Sequence, residues 1–191
     1  MDFNLNETEQ AVSDLAMQIL GDKVDHERLK EIEASDNWFA GAEWALMAEA
    51  GLVGIALPEA HGGGGLSIIE AGLVCEAVGR HVAPVPMLPT TLAAMVIAEF
   101  GDDAMQAELL PGVCDGGRIL TIAAAESLRE DLAQPGVAAD ASGALTGVKS
   151  VVEFAELATH AVVNAVGPDG VGLYLIALDS AGPSTERGVT S

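Results

Sequence analysis

Gly51-Leu52-Val53-Gly54-Ile55-Ala56-Leu57-Pro58-Glu59-Ala60-His61-Gly62-Gly63-Gly64-Gly65 is the stretch that decides the fold. Gly51 closes a helix, Leu52 to Leu57 make an apolar pass through the interior, and Pro58 is soon followed by four glycines. Such a run admits backbone geometries closed to other residues and allows close approach by a ligand or another chain. It is neither GxGxxG after a strand nor GxxxxGK[ST], so the pattern alone makes no phosphate cradle.

Toward the amino terminus the chain reads as helix. Asn6-Glu7-Thr8-Glu9 forms a capping box with Asn6 as N-cap and Glu9 at N3. Val12, Leu15, Ala16, Ile19 and Leu20 then fall on one face at helical spacing, and Gly21 is the expected stop. A short helix is predicted over 26–34 with Leu29 and Ile32 inward. Another is predicted over 38–50, ended by Gly51.

Toward the carboxy terminus, Ser67-Ile68-Ile69-Glu70 is a second capping box. It opens a helix through Val78 with Gly79 as its stop. Ile68, Ile69, Leu73, Val74, Ala77 and Val78 make this helix apolar on nearly all sides, which predicts burial between other elements. Ala83-Pro84-Val85-Pro86 and Pro89 predict an extended connector. Thr90 or Thr91 is expected to cap a helix to Phe100, stopped by Gly101. Asp102 and Asp103 begin a last helix that reaches Leu110 before Pro111-Gly112.

The period then changes. Residues 118–124 read as a short buried strand and Asp140-Ala141-Ser142-Gly143 as a turn. Residues 161–166 and 171–178 are β-like runs joined by Gly167-Pro168-Asp169-Gly170, a strong hairpin turn. The expected class is α+β: a helical domain over 1–112, then an incomplete β-barrel or sandwich-like domain over 113–191. Residues 181–191 read as a loop leading into another strand, as in a truncated chain or one whose sheet a partner completes.

Composition narrows function by exclusion. Eight basic residues face 29 acidic ones, for a net charge of −21. Without clustered Lys or Arg there is no counterion release to drive nucleic-acid binding, and anionic membranes are disfavoured for the same reason. No window reaches the ~20 apolar residues of a membrane helix. Met1 to Glu7 has no basic and no apolar leader region, so a cytoplasmic protein is expected. Cys75 and Cys114 form no framework and read as reduced, with Cys75 packed as a small hydrophobe. His26, His61, His81 and His160 have no metal-ligand spacing. His61, beside the glycines, reads as a loop histidine that caps or faces water. There is no Gly-x-Ser-x-Gly elbow, and acidic residues are too abundant to single out a catalytic pair.

The ordered markers resemble the acyl-CoA dehydrogenase family. They are Met1-Asp2-Phe3 with Glu9-Gln10, and Gly51-Leu52 through Pro58-Glu59 to Gly65, with His61 where the family usually has an aromatic. Phe100-Gly101-Asp102, Leu110-Pro111-Gly112, Gly116-Gly117-Arg118 and Gly147-Val148-Lys149 complete the set. The resemblance implies a helical domain, a middle β domain and a carboxy-terminal four-helix domain, the last absent from this chain. It implies α,β-dehydrogenation of an acyl-CoA, in which a carboxylate base takes the α proton and hydride passes to flavin N5. That base lies beyond residue 191, so the segment alone is expected to be inactive. FAD, an acyl-CoA substrate and an electron-transfer flavoprotein are the implied cofactor and partners.

Departures from the family pattern are concentrated in two loops. The family usually has Thr-Glu-Pro-x-Ala-Gly-Ser-Asp after the first β strand; here stand Ala125, Glu126, Ser127, Leu128, Arg129, Glu130 and Asp131. Glu126 keeps its place, Ala125 has lost a hydroxyl, and the Ala-Gly-Ser is gone. After Lys149 the family usually has an aromatic, an aliphatic, a hydroxyl residue, then Asn or Gly; here stand Val151, Val152, Glu153 and Phe154. The resemblance therefore assigns Ala125, Glu126, Ser127, Val151 and Glu153 to flavin-loop positions whose chemistry is degraded. Glu153 is expected to be a buried like charge beside an anionic cofactor, costing roughly several kcal/mol.

The chain further resembles the partner-type subunit of actinobacterial heterotetrameric enzymes of steroid side-chain breakdown, including the connector Gly79-Arg80-His81 through Pro84-Val85-Pro86. It is therefore expected to act with a paralogous subunit on a bulky, steroid-derived acyl-CoA. Two alternatives stay open: an ordinary homotetramer with divergent loops, and a non-catalytic structural subunit.

Overall fold

The computed structural model describes residues 4–127 and 131–186. Contacts divide the chain into two compact units, with the boundary between Arg118 and Ile119. The first is helical and the second is a small mixed sheet, an α+β chain as expected. Met1-Asp2-Phe3, Leu128-Arg129-Glu130 and 187–191 lie outside the described residues.

The first unit contains α1 (Glu7–Lys23), α2 (His26–Glu33), α3 (Gly41–Glu49), a single 3-10 turn (Glu59–His61), α4 (Ile68–Arg80), α5 (Met87–Phe100) and α6 (Asp103–Cys114). Both predicted capping boxes form: Asn6 accepts from Glu9 N while the Glu9 carboxylate accepts from Asn6 N, and Ser67 and Glu70 repeat the arrangement. Leu20, Met47, Val74, Met87, Leu109 and Leu110 are fully buried at its centre. Arg28 of α2 grips the buried Glu43 of α3 with two hydrogen bonds, Nε to Oε1 at 2.8 Å and a terminal nitrogen to Oε2 at 3.1 Å. That grip holds the Glu43 carboxyl below its ordinary range.

Leu52, Val53, Ile55 and Leu57 are buried, so the apolar pass is real, but it is a series of turns rather than a strand. The glycines after it are not a free exit loop. Gly63 N, Gly64 N, Gly65 N and Leu66 N donate to the carbonyls of Pro58, Gly54, Leu57 and Ile55. Two backbones lie in contact here: a Cβ on Gly64 would stand 2.7 Å from the Ile55 carbonyl oxygen, and one on Gly63 would overlap Leu57 outright. The close approach that glycine permits is made to the chain's own main chain.

Several helix ends differ from expectation. Gly21 is interior to α1, where its bare face lets His81 approach; a Cβ there would be 3.3 Å from Nε2. The helix expected from 38 opens instead at Gly41, because Trp38 takes a left-handed φ of 49°. Gly79 does not stop α4. Val82 does, at φ 53°, with Val82 N bonded to Gly79 O and Ala83 N to Val78 O, the Schellman pattern with valine in the glycine seat. Pro89 is not in a connector but in the first turn of α5, where a missing N–H costs nothing. Thr90 and Thr91 are buried within that helix rather than capping it. Pro111-Gly112 falls inside α6, because burial of Leu109, Leu110 and Val113 outweighs one lost helical bond. The predicted all-round burial of α4 is corrected too: Ala71, Val74 and Ala77 are buried, while Ile68 and Ile69 are more than half exposed.

The second unit has β1 (Leu120–Ala123), β2 (Ala138–Ala139), β3 (Leu145–Thr146), β4 (His160–Gly167) and β5 (Gly170–Ala177) in one five-stranded sheet. β5 runs antiparallel along all of β4, from His160 opposite Ala177 to Gly167 opposite Gly170. The Gly167–Gly170 turn joins them as read from sequence. β1 and β2 pair parallel with β4, and β3 returns antiparallel on β2 through the 140–143 turn. Asp140 builds that turn, its Oδ1 accepting from Ser142 N, Ser142 Oγ and Ala144 N. Ala123, Val137, Ala139, Ala161, Val163 and Ala165 form the core. Among the described residues, no helix is long and apolar enough to cross a membrane.

Candidate cofactor-loop site

The five candidate residues lie on two loops of the second unit. One leaves β1 over 124–127, and the other runs over 147–154 between β3 and β4. One backbone bond joins them, Ser150 N donating to Ala125 O at 2.9 Å, and the Thr121 hydroxyl of β1 donates to Glu153 O at 2.7 Å. Gly147 lets its loop close on Val137; a Cβ there would be 2.9 Å from Val137 Cα.

Lys149 is the centre of the arrangement. Its Nζ donates to Glu126 Oε1 at 2.7 Å, to Asn164 Oδ1 at 2.7 Å and to Ala124 O at 3.4 Å. The Glu126 carboxylate also accepts from Gly136 N at 2.8 Å and Val137 N at 3.2 Å. Asn164, on β4, passes the tie onward by donating Nδ2 to Leu132 O at 2.7 Å. The Lys149 and Glu126 side chains are 7% and 11% exposed, so ammonium and carboxylate compensate each other in a nearly closed site. The Lys149 hydrogen bond, with the two backbone amides behind it, pulls the Glu126 carboxyl down to about 2.

The candidates therefore occupy very different situations. Ala125 is half-buried and offers backbone alone. Glu126 is saturated by its own chain, and Ser127 is exposed. Val151 is 86% exposed and sits at φ 53°, a left-handed geometry that β-branched residues resist. Glu153 is exposed, not the buried like charge expected, so the anticipated burial cost does not arise within this unit. Lys149, Asn164 and Thr121 belong to the site although the sequence does not single them out. Lys149 is legible only as part of a turn marker. Asn164 carries a signal of its own: one amide inside the apolar run 161–166.

These residues are a poor fit to a flavin dinucleotide, which is anionic and needs donors and cations. Lys149 is the sole Lys or Arg among the described residues of the second unit, and its charge is already committed. Glu126 and Glu153 add negative charge, and only the Ser127 hydroxyl is an exposed side-chain donor among the five.

Outside these loops, His61 contacts Gln106 Oε1 at 3.3 Å and faces α6. Cys75 and Cys114 are free and half-buried, their thiols pushed up by desolvation. Among the described residues there is no group of three metal-ligating side chains.

Comparison with known proteins gives a consistent result. Residues 6–117 match the family model of the acyl-CoA dehydrogenase N-terminal domain. Acyl-CoA dehydrogenase FadE27 of Mycobacterium tuberculosis is 30% identical over 95% of this chain and 49% of its own length. The solved Tcur3481-Tcur3483 steroid ACAD superposes with a TM-score of 0.92 at 44% identity, covering 96% of this chain and 52% of that one. The ChsE4-ChsE5 complex from Mycobacterium tuberculosis gives 0.87 at 28% identity, covering 95% and 50%. The chain thus spans about half the length of the relatives it matches.

Proposed function

This chain belongs to the acyl-CoA dehydrogenase family, and from that premise we propose that it is a subunit of a flavin-dependent acyl-CoA dehydrogenase that works with a paralogous partner. The complex would carry out α,β-dehydrogenation of a bulky, steroid-derived acyl-CoA in the cytoplasm and pass electrons to an electron-transfer flavoprotein. This subunit would complete a site whose flavin the partner mainly holds. In this reading Ala125, Glu126, Ser127, Val151 and Glu153 stand at degraded flavin-loop positions.

One observation carries the reading: the carboxylate at Glu126 and Lys149, the sole Lys or Arg among the described residues of the second unit, neutralise each other instead of facing a ligand. Likeness to the solved two-component assemblies supports the partnership, since each is named as a pair of chains. The bulky substrate rests on likeness to the Tcur3481-Tcur3483 enzyme, which is a steroid ACAD.

The test is co-expression of the full-length protein with a paralogue from its own genome. A co-purifying complex is expected to hold flavin and oxidise a steroid side-chain CoA thioester in a dye-linked assay, while this subunit alone carries no stoichiometric flavin absorbance. Stoichiometric flavin on the subunit alone would establish the homotetrameric alternative. Activity that survives ablation of residues 125–127 and 151–153 would establish the structural one.

A further inference from the structure

We propose that Lys149, acting through Glu126 and Asn164, replaces a bound cofactor as the element that orders the two loops, so that their shape is set before any flavin is present. The inference rests on the reading above only in taking these loops as the family's cofactor loops. Its geometry stands on the second unit alone.

The observations converge from separate segments. Glu126 follows β1, Gly136 and Val137 precede β2, Lys149 follows β3, and Asn164 lies within β4; the Lys149–Glu126 pair links all four, the ammonium reaching Asn164 and the carboxylate reaching Gly136 and Val137. A buried donor with three acceptors at defined positions fixes direction as well as distance. The backbone carries the mark of this constraint. Val151, two residues after Lys149, is held in a left-handed geometry that its branched side chain opposes, with that side chain in solvent where no packing compensates. Such an outlier persists only where the surroundings over-determine it, and the Ser150–Ala125 and Thr121–Glu153 bonds bracket it on both sides. A loop that awaited the anionic flavin would leave a cation or donor open toward it, whereas the Lys149 ammonium is already taken by Glu126, Asn164 and the Ala124 carbonyl. Here Glu126 turns its oxygens inward to Gly136, Val137 and Lys149. Lys149 is therefore a positioning residue, not a cofactor ligand.

Amide hydrogen exchange on the flavin-free chain tests this. In the native sequence, Gly136 and Val137 are expected to exchange as slowly as Val163 in the middle of β4. The double variant Glu126→Gln with Lys149→Met removes both charges together, so that neither is left buried alone. It is expected to speed exchange at Gly136 and Val137 at least tenfold while Val163 is unchanged. A purely structural loss would accelerate all three alike. Should the double variant not fold, Asn164→Ala cuts the tie to Leu132 and one acceptor of Lys149, with a smaller acceleration expected at the same two amides. Unchanged exchange at Gly136 and Val137 overturns the inference. So does fast exchange in the native chain that slows only when FAD is added. A flavin-free complex with the paralogue would sink the functional reading and leave this exchange result standing.

Discussion

Lys149 Nζ and Glu126 Oε1 lie 2.7 Å apart across 23 residues of sequence, and neither side chain is more than 11% exposed. A carboxylate and the second unit's one described cation thus close on each other. Their pairing joins the end of β1 to the loop after β3, and it is the electrostatic hinge of the second unit.

Acid should destabilise this unit. The folded-state pKa of Glu126 is about 2, against an ordinary 4.5. Because the folded value is depressed, the stabilisation is fully present above 4.5 and is lost as pH falls through about 2. Tyr174, the chain's one tyrosine, lies in β5 and reports on the second unit. Its fluorescence should show stability falling across that window, and Glu126→Gln should flatten the slope there. An unchanged slope would refute the assignment.

Arg28 should matter more than its surface position implies. Its guanidinium supplies both hydrogen bonds to Glu43, whose side chain is 5% exposed. Arg28→Ala leaves a nearly buried carboxylate without its partner, and a loss of about 2 kcal/mol is expected from the usual cost of unpairing such groups. Chemical denaturation followed by Trp44 in α3 would measure it. Arg28→Lys should recover only part, since one ammonium cannot replace the two-pronged contact.

Val82→Gly should stabilise the protein. Valine there is 70% exposed at φ 53°, in the seat that normally takes glycine after a helix. Relief of strain exceeds the added freedom of the unfolded chain by about 1 kcal/mol. Thermal unfolding should shift upward by a few degrees; a downward shift would show that the valine side chain packs favourably.

Two glycine-to-alanine changes should have opposite signs. Gly72 lies in α4 with nothing within 4 Å of the place its methyl group would take, so alanine should gain about 1 kcal/mol of helix propensity. Gly63 meets Leu57 backbone at once, and alanine there should cost about 3 kcal/mol by forcing two main chains apart. Paired denaturant titrations of both variants would decide it; equal effects would contradict the contact seam.

Much of the fold is legible in the sequence because it depends on local signals. The capping boxes at Asn6 and Ser67, the turn at Asp140 and the hairpin at Gly167 form as their residues dictate. The errors fall where distant packing overrides a local breaker. Gly21 and Gly79 continue their helices, and Pro111 remains inside α6 because the leucines before it are buried. For the candidate loops the sequence supplies the residues but not their pairing. Pairing of Glu126 with Lys149 and Asn164 is a product of strand order, since β4 sits between β1 and β5, and no spacing within the sequence announces it.

The seam between 54–58 and 63–66 carries a consequence for how such chains are recognised. Because main chain meets main chain there, assembly of the helical unit by itself demands the motif. A lineage can exchange the loops that serve catalysis and still be held to the same glycines by folding alone. Recognition through that motif identifies architecture by descent; employment has to be read elsewhere, from whether carboxylates such as Glu126 are open to a guest or already spoken for.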